Sequence, residues 1–178
     1  MRHPLEKFTH CPVCGSEQFV DNDFKSRRCV DCKFVYYLNP SSAYVAFITD
    51  GHGRLLVERR GCQPAKGKLD LPGGFADIGE TVEEGVAREV LEETGLEVTA
   101  ARYLFSIPNT YLYSGFEIPT LDLFFVCQVA DITVVRAGDD AAACFWMPMS
   151  DIRPEDFGLL SISEGVRRFI TSGGVDKV

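Results

Sequence analysis

The stretch that decides how this chain is read runs from Gly74 to Leu96: Gly-Phe-Ala-Asp-Ile-Gly-Glu-Thr-Val-Glu-Glu-Gly-Val-Ala-Arg-Glu-Val-Leu-Glu-Glu-Thr-Gly-Leu. Its second half predicts a helix. Thr81 followed by Glu84 has the spacing of a capping box, and Gly95 stands where a C-cap needs a residue free to adopt positive φ. At about 100° per residue, Glu89, Glu92 and Glu93 fall within an arc of roughly 100° on that helix. Three like charges so close repel one another. A divalent cation offsets that repulsion, and carboxylate oxygens suit magnesium or manganese, which also bind phosphates. The bland alternative is an amphipathic helix with an acidic, solvated face.

The residues before the helix favour the metal reading. In Leu71-Pro72-Gly73-Gly74-Phe75 the two glycines let backbone approach a ligand closely. Glu80 precedes the N-cap. Arg88 can pair with Glu84 at i, i+4 and can orient the neighbouring carboxylates. A loop, a helix and a carboxylate cluster aimed at one point describe a metal-bound phosphate site.

These residues carry a family resemblance. Gly74, then Glu80, then Arg88-Glu89-Val90-Leu91-Glu92-Glu93-Thr94-Gly95-Leu96 resembles the Nudix box at each defining position. The resemblance implies an α/β/α sandwich, helices around a mixed β-sheet, over about residues 42–172.

Composition sets the frame. The 178 residues suffice for one catalytic domain with a core and a small appendage. A hydrophobic content of 46% with 25% charged residues belongs to a globular protein, and there is no apolar run long enough to span a bilayer. The N-terminal residues lack an apolar signal core, so a cytoplasmic location with no membrane partner is expected. The net charge of −8 is uneven: residues 1–40 carry +1 and the remainder −9. A body that acidic is a poor general binder of nucleic-acid backbones, so nucleic acid is not expected as a partner. A nucleotide with metal-neutralised phosphates remains compatible.

The second organising signal is Cys11-Pro-Val-Cys14 and Cys29-Val-Asp-Cys32. Two Cys-x-x-Cys knuckles at this separation supply four thiolates for a tetrahedral zinc. With no open coordination position the metal is structural, and it supplies folding energy to a module too small for its own core. Disulfide and redox readings find less support, since nothing indicates an oxidising compartment. The intervening Phe19, Val20 and Phe24 read as short strands of a zinc ribbon, so the chain divides into a ribbon at 1–40 and a catalytic domain at 41–178.

Beyond Asn39-Pro40, Ala43–Thr49 and Arg54–Arg60 read as strands joined by an Asp50-Gly51-His52-Gly53 hairpin turn. Residues 61–70 read as a loop whose Lys66 and Lys68 are either phosphate contacts or solvated lysines. Val98–Phe105 and Cys144–Met149 read as strands, and Thr120–Val129 as a buried central strand. Ser161–Thr171 reads as a helix with Ser161 as N-cap and Glu164 at N3. None of the three histidines suits a catalytic base. Cys127 and Cys144 read as core residues and Cys62 as a loop thiol.

What the resemblance implies for the chemistry is metal-assisted attack of water on a pyrophosphate phosphorus. Glu92 and Glu93 would ligate Mg²⁺ or Mn²⁺ together with the Gly73 carbonyl. Glu89 would be ligand or general base, Arg88 would orient the carboxylates, and Glu80 would support the loop or join the metal shell. Asp140, ahead of Trp146, is either a further ligand or a polar turn residue.

A four-cysteine ribbon followed by this domain is similar to the NADH pyrophosphatase subgroup. That subgroup carries Ser-Gln-Pro-Trp-Pro-Phe after the box, where this chain has Ser106-Ile107-Pro108-Asn109-Thr110-Tyr111. Tyr111, Tyr113 and Phe116, read as an aromatic loop, either stack a substrate ring or pack the loop or a dimer interface. NADH, NAD⁺, ADP-ribose and FAD all remain open as substrates. Relatives of that kind commonly pair, so a homodimer is expected. The competing class is a nucleotide-sensing protein that binds without turnover.

Overall fold

The structure, a computed structural model, describes residues 3–136 and 141–174. Two compact units divide it, Met1–Pro40 and Ser41–Val178. None of the described helices is long and apolar enough to cross a membrane.

The first unit holds three short antiparallel strands in sequential order, β1 (Phe19–Asp23), β2 (Ser26–Cys29) and β3 (Val35–Tyr37). Its core cluster is Cys11, Phe19 and Cys29, with Phe34 packed against it, and Leu5 is buried as well. So few apolar side chains cannot offset chain entropy unaided. Phe24, expected in a strand, sits at the β1–β2 turn and is 80% exposed.

The second unit begins with β4 (Ser41–Phe47), β5 (Arg54–Arg60) and the two-residue β6 (Leu69–Asp70). The helix α1 (Val82–Thr94) follows, then β7 (Val98–Tyr113), β8 (Phe116–Val129), β9 (Ala141–Pro148) and the helix α2 (Leu160–Thr171). The strands form two three-stranded sheets, ordered β4-β8-β7 and β6-β5-β9. In the first, β4 runs parallel to β8 and β7 antiparallel to it; the second is antiparallel throughout.

Period-two alternation decides which helix each strand residue meets. Tyr44, Ala46, Ile48, Leu56, Phe125 and Cys127 cluster with Val86 and Val90 of α1. Val45, Phe47, Leu55, Val57, Phe124 and Val126 cluster with Ile162, Val166 and Phe169 of α2. The expected α/β/α sandwich is present, with its strands shared between two sheets. At roughly 1.5–3 kcal/mol for each fully buried large apolar side chain, these two clusters are what fixes α1 and α2.

Three sequence expectations need correction. The Asp50–Gly53 turn forms, its Asp50 carboxylate accepting from the backbone N–H of His52 and Arg54. It does not, however, join two neighbours of one sheet: beyond the Thr49–Leu55 bridge, β4 and β5 part into separate sheets. The aromatic segment at 106–116 is not a loop. It is the far end of a long β7–β8 hairpin, paired as far as Tyr113 and Phe116. Ser114 and Gly115 turn it with positive φ at both positions (49° and 72°), the backbone of a two-residue hairpin turn. Pro108 and Pro119 disguised the strand. Both are tolerated because β7 is an edge strand and β4 pairing with β8 stops at Thr120. Finally, Leu159 and not Ser161 is the N-cap of α2. Ser161 is buried inside the helix and donates to Asp122, while Glu164 pairs with Arg167 and Arg168.

Candidate active site

The helix α1 is built as its sequence predicts. Thr81 and Glu84 close the capping box, and Gly95 ends the helix with φ at 73°. It lies tight on β4, since a Cβ on Gly85 would meet the Tyr44 ring at 2.1 Å. The loop before it is stitched to the same strand: the backbone N–H of Tyr44 donates to the Gly74 carbonyl and that of Ala46 to the Pro72 carbonyl, both at 2.8 Å. This turns the Gly73 N–H toward α1, where it donates to Glu93 Oε2 at 2.7 Å. Gly74 faces the next turn of the helix. Any side chain there would strike the Glu89 carboxylate, 2.4 Å from an ideal Cβ.

Arg88 organises the carboxylates, although not through Glu84, which is occupied by Thr81. Its guanidinium grips Glu80 with two bonds of 3.0 and 2.9 Å and donates to the Phe75 carbonyl at 3.2 Å. It also reaches Glu89 at 2.9 Å and Glu92 at 3.3 Å. Glu80 additionally accepts from the Asp77 N–H at 2.6 Å, tying the loop to the helix. These bonds, that to Arg88 foremost, hold the Glu80 carboxyl below its ordinary range. Burial pushes Glu89 the other way, against the pull of Arg88.

Glu89 and Glu93 line a cavity of about 600 Å³. Its walls also include Glu58, Arg60, Asp70, Phe75, Tyr111 and Tyr113, with Asn109 and Asp122. Tyr111 meets Phe75 edge-on at 5.6 Å between ring centres. Arg60 is paired with Asp70, and its other nitrogen lies 3.4 Å from the Tyr111 hydroxyl. Asp122 gathers hydroxyl donors from Thr120 and Ser161 and the amide of Asn109. Of the residues expected at the site, Glu89, Glu93, Gly73, Tyr111 and Tyr113 are therefore brought together. Glu92, with 61% of its side chain exposed, is not on the cavity wall. Lys66 and Phe116 are not on it either. Asp140 lies outside the described residues.

Sequence reasoning passed over Glu58, Arg60, Asp70, Asn109 and Asp122. A signal for the first was present. Glu58 follows Leu56 in the β5 alternation, on the face turned to α1, so a charged residue occupies an inward register. Burial, then the nearby Glu93 and Asp70 charges, push its carboxyl up to about 9. Its Oε1 is buried without a hydrogen-bond partner.

The acidic side chains here, Glu58, Glu89 and Glu93, offer oxygen donors, the chemistry of a hard divalent cation, and an unpartnered buried carboxylate oxygen is what such a cation satisfies. Glu89 and Glu93, with the Gly73 carbonyl, would hold it. In the first unit the fit is to zinc. The sulfurs of Cys11, Cys14, Cys29 and Cys32 lie within 4.8 Å of one another, and two of the pairs stand at 3.6 Å. Tetrahedral coordination with Zn–S bonds of about 2.3 Å places sulfurs about 3.8 Å apart. The Cys32 backbone N–H donates to Cys29 Sγ, an N–H to sulfur bond that favours the thiolate at that position.

A family model described as NUDIX domain matches residues 39–166. Among curated proteins, the chain is 33% identical over 124 residues to the ADP-ribose pyrophosphatase of Methanocaldococcus jannaschii, covering 67% of this chain and 69% of that protein. It is 32% identical over 106 residues to the NAD-capped RNA hydrolase NudC of Vibrio cholerae, covering 60% of this chain and 39% of that protein. The chain thus spans about two fifths of the length of the NudC proteins it matches. Among solved structures, a NUDIX hydrolase from Nitrosomonas europaea superposes with a TM-score of 0.73 at 21% identity, covering 92% of this chain and 91% of that one, a likeness of fold.

Proposed function

This chain belongs to the Nudix family, and we propose that it hydrolyses the pyrophosphate linkage of a nucleoside-diphosphate derivative of the ADP-ribose or NAD type. The observation that carries this reading is one cavity lined both by the α1 carboxylates Glu89 and Glu93 and by the rings of Tyr111, Tyr113 and Phe75. Carboxylates alone would suit any phosphate ester. Aromatic rings in the same cavity add a surface on which a base or nicotinamide ring stacks.

Held by Glu89, Glu93 and the Gly73 carbonyl, a Mg²⁺ or Mn²⁺ ion would supply charge neutralisation for the pyrophosphate and a more acidic water. The chain's own residues do the rest. Glu93, held by the Gly73 N–H, is fixed to the loop that approaches the phosphates. Arg88 holds Glu89, Glu92 and Glu80 in one orientation, and Glu80 keeps the loop docked. Glu89, partly buried and raised by that burial, is the carboxylate best placed to take the proton of the attacking water or to ligate the metal. Four sulfurs converge on one point in the first unit, and this supports a structural zinc.

The test is product analysis with Mg²⁺ or Mn²⁺ over NADH, NAD⁺, ADP-ribose, FAD and nucleoside triphosphates, with Glu89→Gln and Glu93→Gln as controls. Cleavage to monophosphates that the controls lack establishes the activity and ranks the substrates. Tight binding of a nucleotide with no turnover would replace the hydrolase reading with that of a nucleotide sensor.

A further inference from the structure

We propose that Glu58 is a cation-holding residue of this site, a carboxylate contributed by strand β5 from the wall facing the α1 glutamates. The inference rests on the reading of the cavity as a divalent-cation site and adds a residue that the box motif does not contain. Three observations carry it. Glu58 is only 4% exposed, yet it lies on the cavity wall with Glu89 and Glu93. Its Oε1 is buried with no hydrogen-bond partner, although its carboxyl receives the thiol of Cys144, its cross-strand neighbour. Two like charges, Glu93 and Asp70, bear on it more strongly than the one opposite charge, Arg60, which is itself paired with Asp70.

A carboxylate oxygen buried among carboxylates without a donor is costly and needs a reason. If the position served only packing, Gln, Met or Leu would fill it without that cost. A hard cation provides the reason, because it accepts several oxygen ligands and reverses the local field. The position also suits a ligand. Strand β5 is the middle strand of its sheet, so the Glu58 backbone is held on both sides. A cation held between Glu58 and the α1 glutamates would join the sheet to the helix, so its binding should stabilise the fold as well as the site.

The experiment titrates the full chain with Mn²⁺ alone, without nucleotide, following free Mn²⁺ by electron paramagnetic resonance. Heat unfolding with and without Mn²⁺ runs in parallel. Wild type, Glu58→Gln, Glu58→Met and Glu93→Gln are compared. The expected result is Mn²⁺ binding by wild type and loss of it in Glu93→Gln. Both Glu58 variants should bind at least tenfold more weakly, with a smaller Mn²⁺-dependent rise in Tm. Glu58→Met preserves side-chain length without a polar group and decides the matter should Glu58→Gln fail to fold. Wild-type affinity in either folded Glu58 variant overturns the proposal while leaving the cation site intact. Absence of Mn²⁺ binding in wild type overturns the proposal and the cation reading together.

Discussion

The two units solve the problem of gathering like charges in opposite ways. In the first, four cysteine sulfurs converge within 4.8 Å. Among the described residues no carboxylate group does so: in the second unit Arg88 takes up part of the repulsion, and Glu89 and Glu93 open onto a cavity. The sulfurs leave a cation nothing further to bind, which is the arrangement of a structural centre. Carboxylates held by an arginine and facing open space leave coordination positions for water and phosphate, which is the arrangement of a working site. On the proposed reading, closure would serve the fold and openness a substrate.

The largest effect is expected where the closed centre is broken. The chain should carry one zinc, and Cys29→Ser should lose it and with it the fold of the first unit. Structural zinc in modules of this size contributes about 10–16 kcal/mol of apparent binding energy, far more than the Cys11–Phe19–Cys29 cluster can replace. Metal analysis with proton NMR of the β1–β3 resonances checks this. A folded, metal-free first unit would remove the basis for calling the cluster structural.

The open site should fail in function and not in fold. Glu93→Gln is expected to lower kcat/KM on the preferred nucleotide about a hundredfold or more, with little change in Tm, because Gln still accepts from the Gly73 N–H. Arg88→Ala, which releases Glu80, Glu89 and Glu92 together, should cost between about tenfold and a hundredfold in kcat. If Arg88→Ala were as active as wild type, the carboxylates would not depend on its orientation.

The same contrast explains what the sequence made legible. The ribbon and α1 are local: knuckle spacing, a capping box and a C-cap glycine are written within a few residues of the structure they specify. What escaped notice depends on pairing between distant residues. That β4 and β5 part into different sheets follows from β4 finding β8, some eighty residues later. The hairpin of residues 106–116 was masked by Pro108 and Pro119, harmless only because of where the edge of that sheet falls. Ser161 looked like a helix cap, yet its hydroxyl is claimed by Asp122 from another strand. Glu58 and Asp122 come to line the cavity through register alone. A charged residue at an inward-facing strand position was the one clue available beforehand.

A smaller effect tests how unsatisfied the open site is without its cation. Burial, helped by Glu93 and Asp70, raises the Glu58 carboxyl from an ordinary value near 4.5 to about 9 in the folded chain. Between those values the folded state binds more protons than the unfolded state, so stability falls as pH rises. The slope is at most about 1.4 kcal/mol per pH unit, and the contribution is gone above pH about 9. Glu89, raised by burial as well, acts in the same direction. Urea midpoints at pH 5, 7 and 9 without added Mg²⁺ or Mn²⁺ should therefore decline in wild type and decline less in Glu58→Gln. Equal slopes in the two proteins would mean that Glu58 is not the group being titrated.

The smallest effect concerns what the openness admits. Tyr111 meets Phe75 edge-on, with its hydroxyl near Arg60, and all three line the cavity. Removing one aromatic partner of a stacked ring costs about 0.5–1.5 kcal/mol, which sets an upper limit of roughly tenfold on KM for Tyr111→Ala. The kcat should hold, because the ring binds the ground state and the transition state alike. Tyr111→Phe should retain most of the affinity, and Lys66→Ala, off the cavity wall, should change neither constant beyond about twofold. A fall in kcat with KM unchanged in Tyr111→Ala would assign the ring to holding the hairpin instead of the substrate. The aromatic wall would then belong with the closed, structural half of the comparison, and the open half would reduce to the carboxylates and the phosphates they serve.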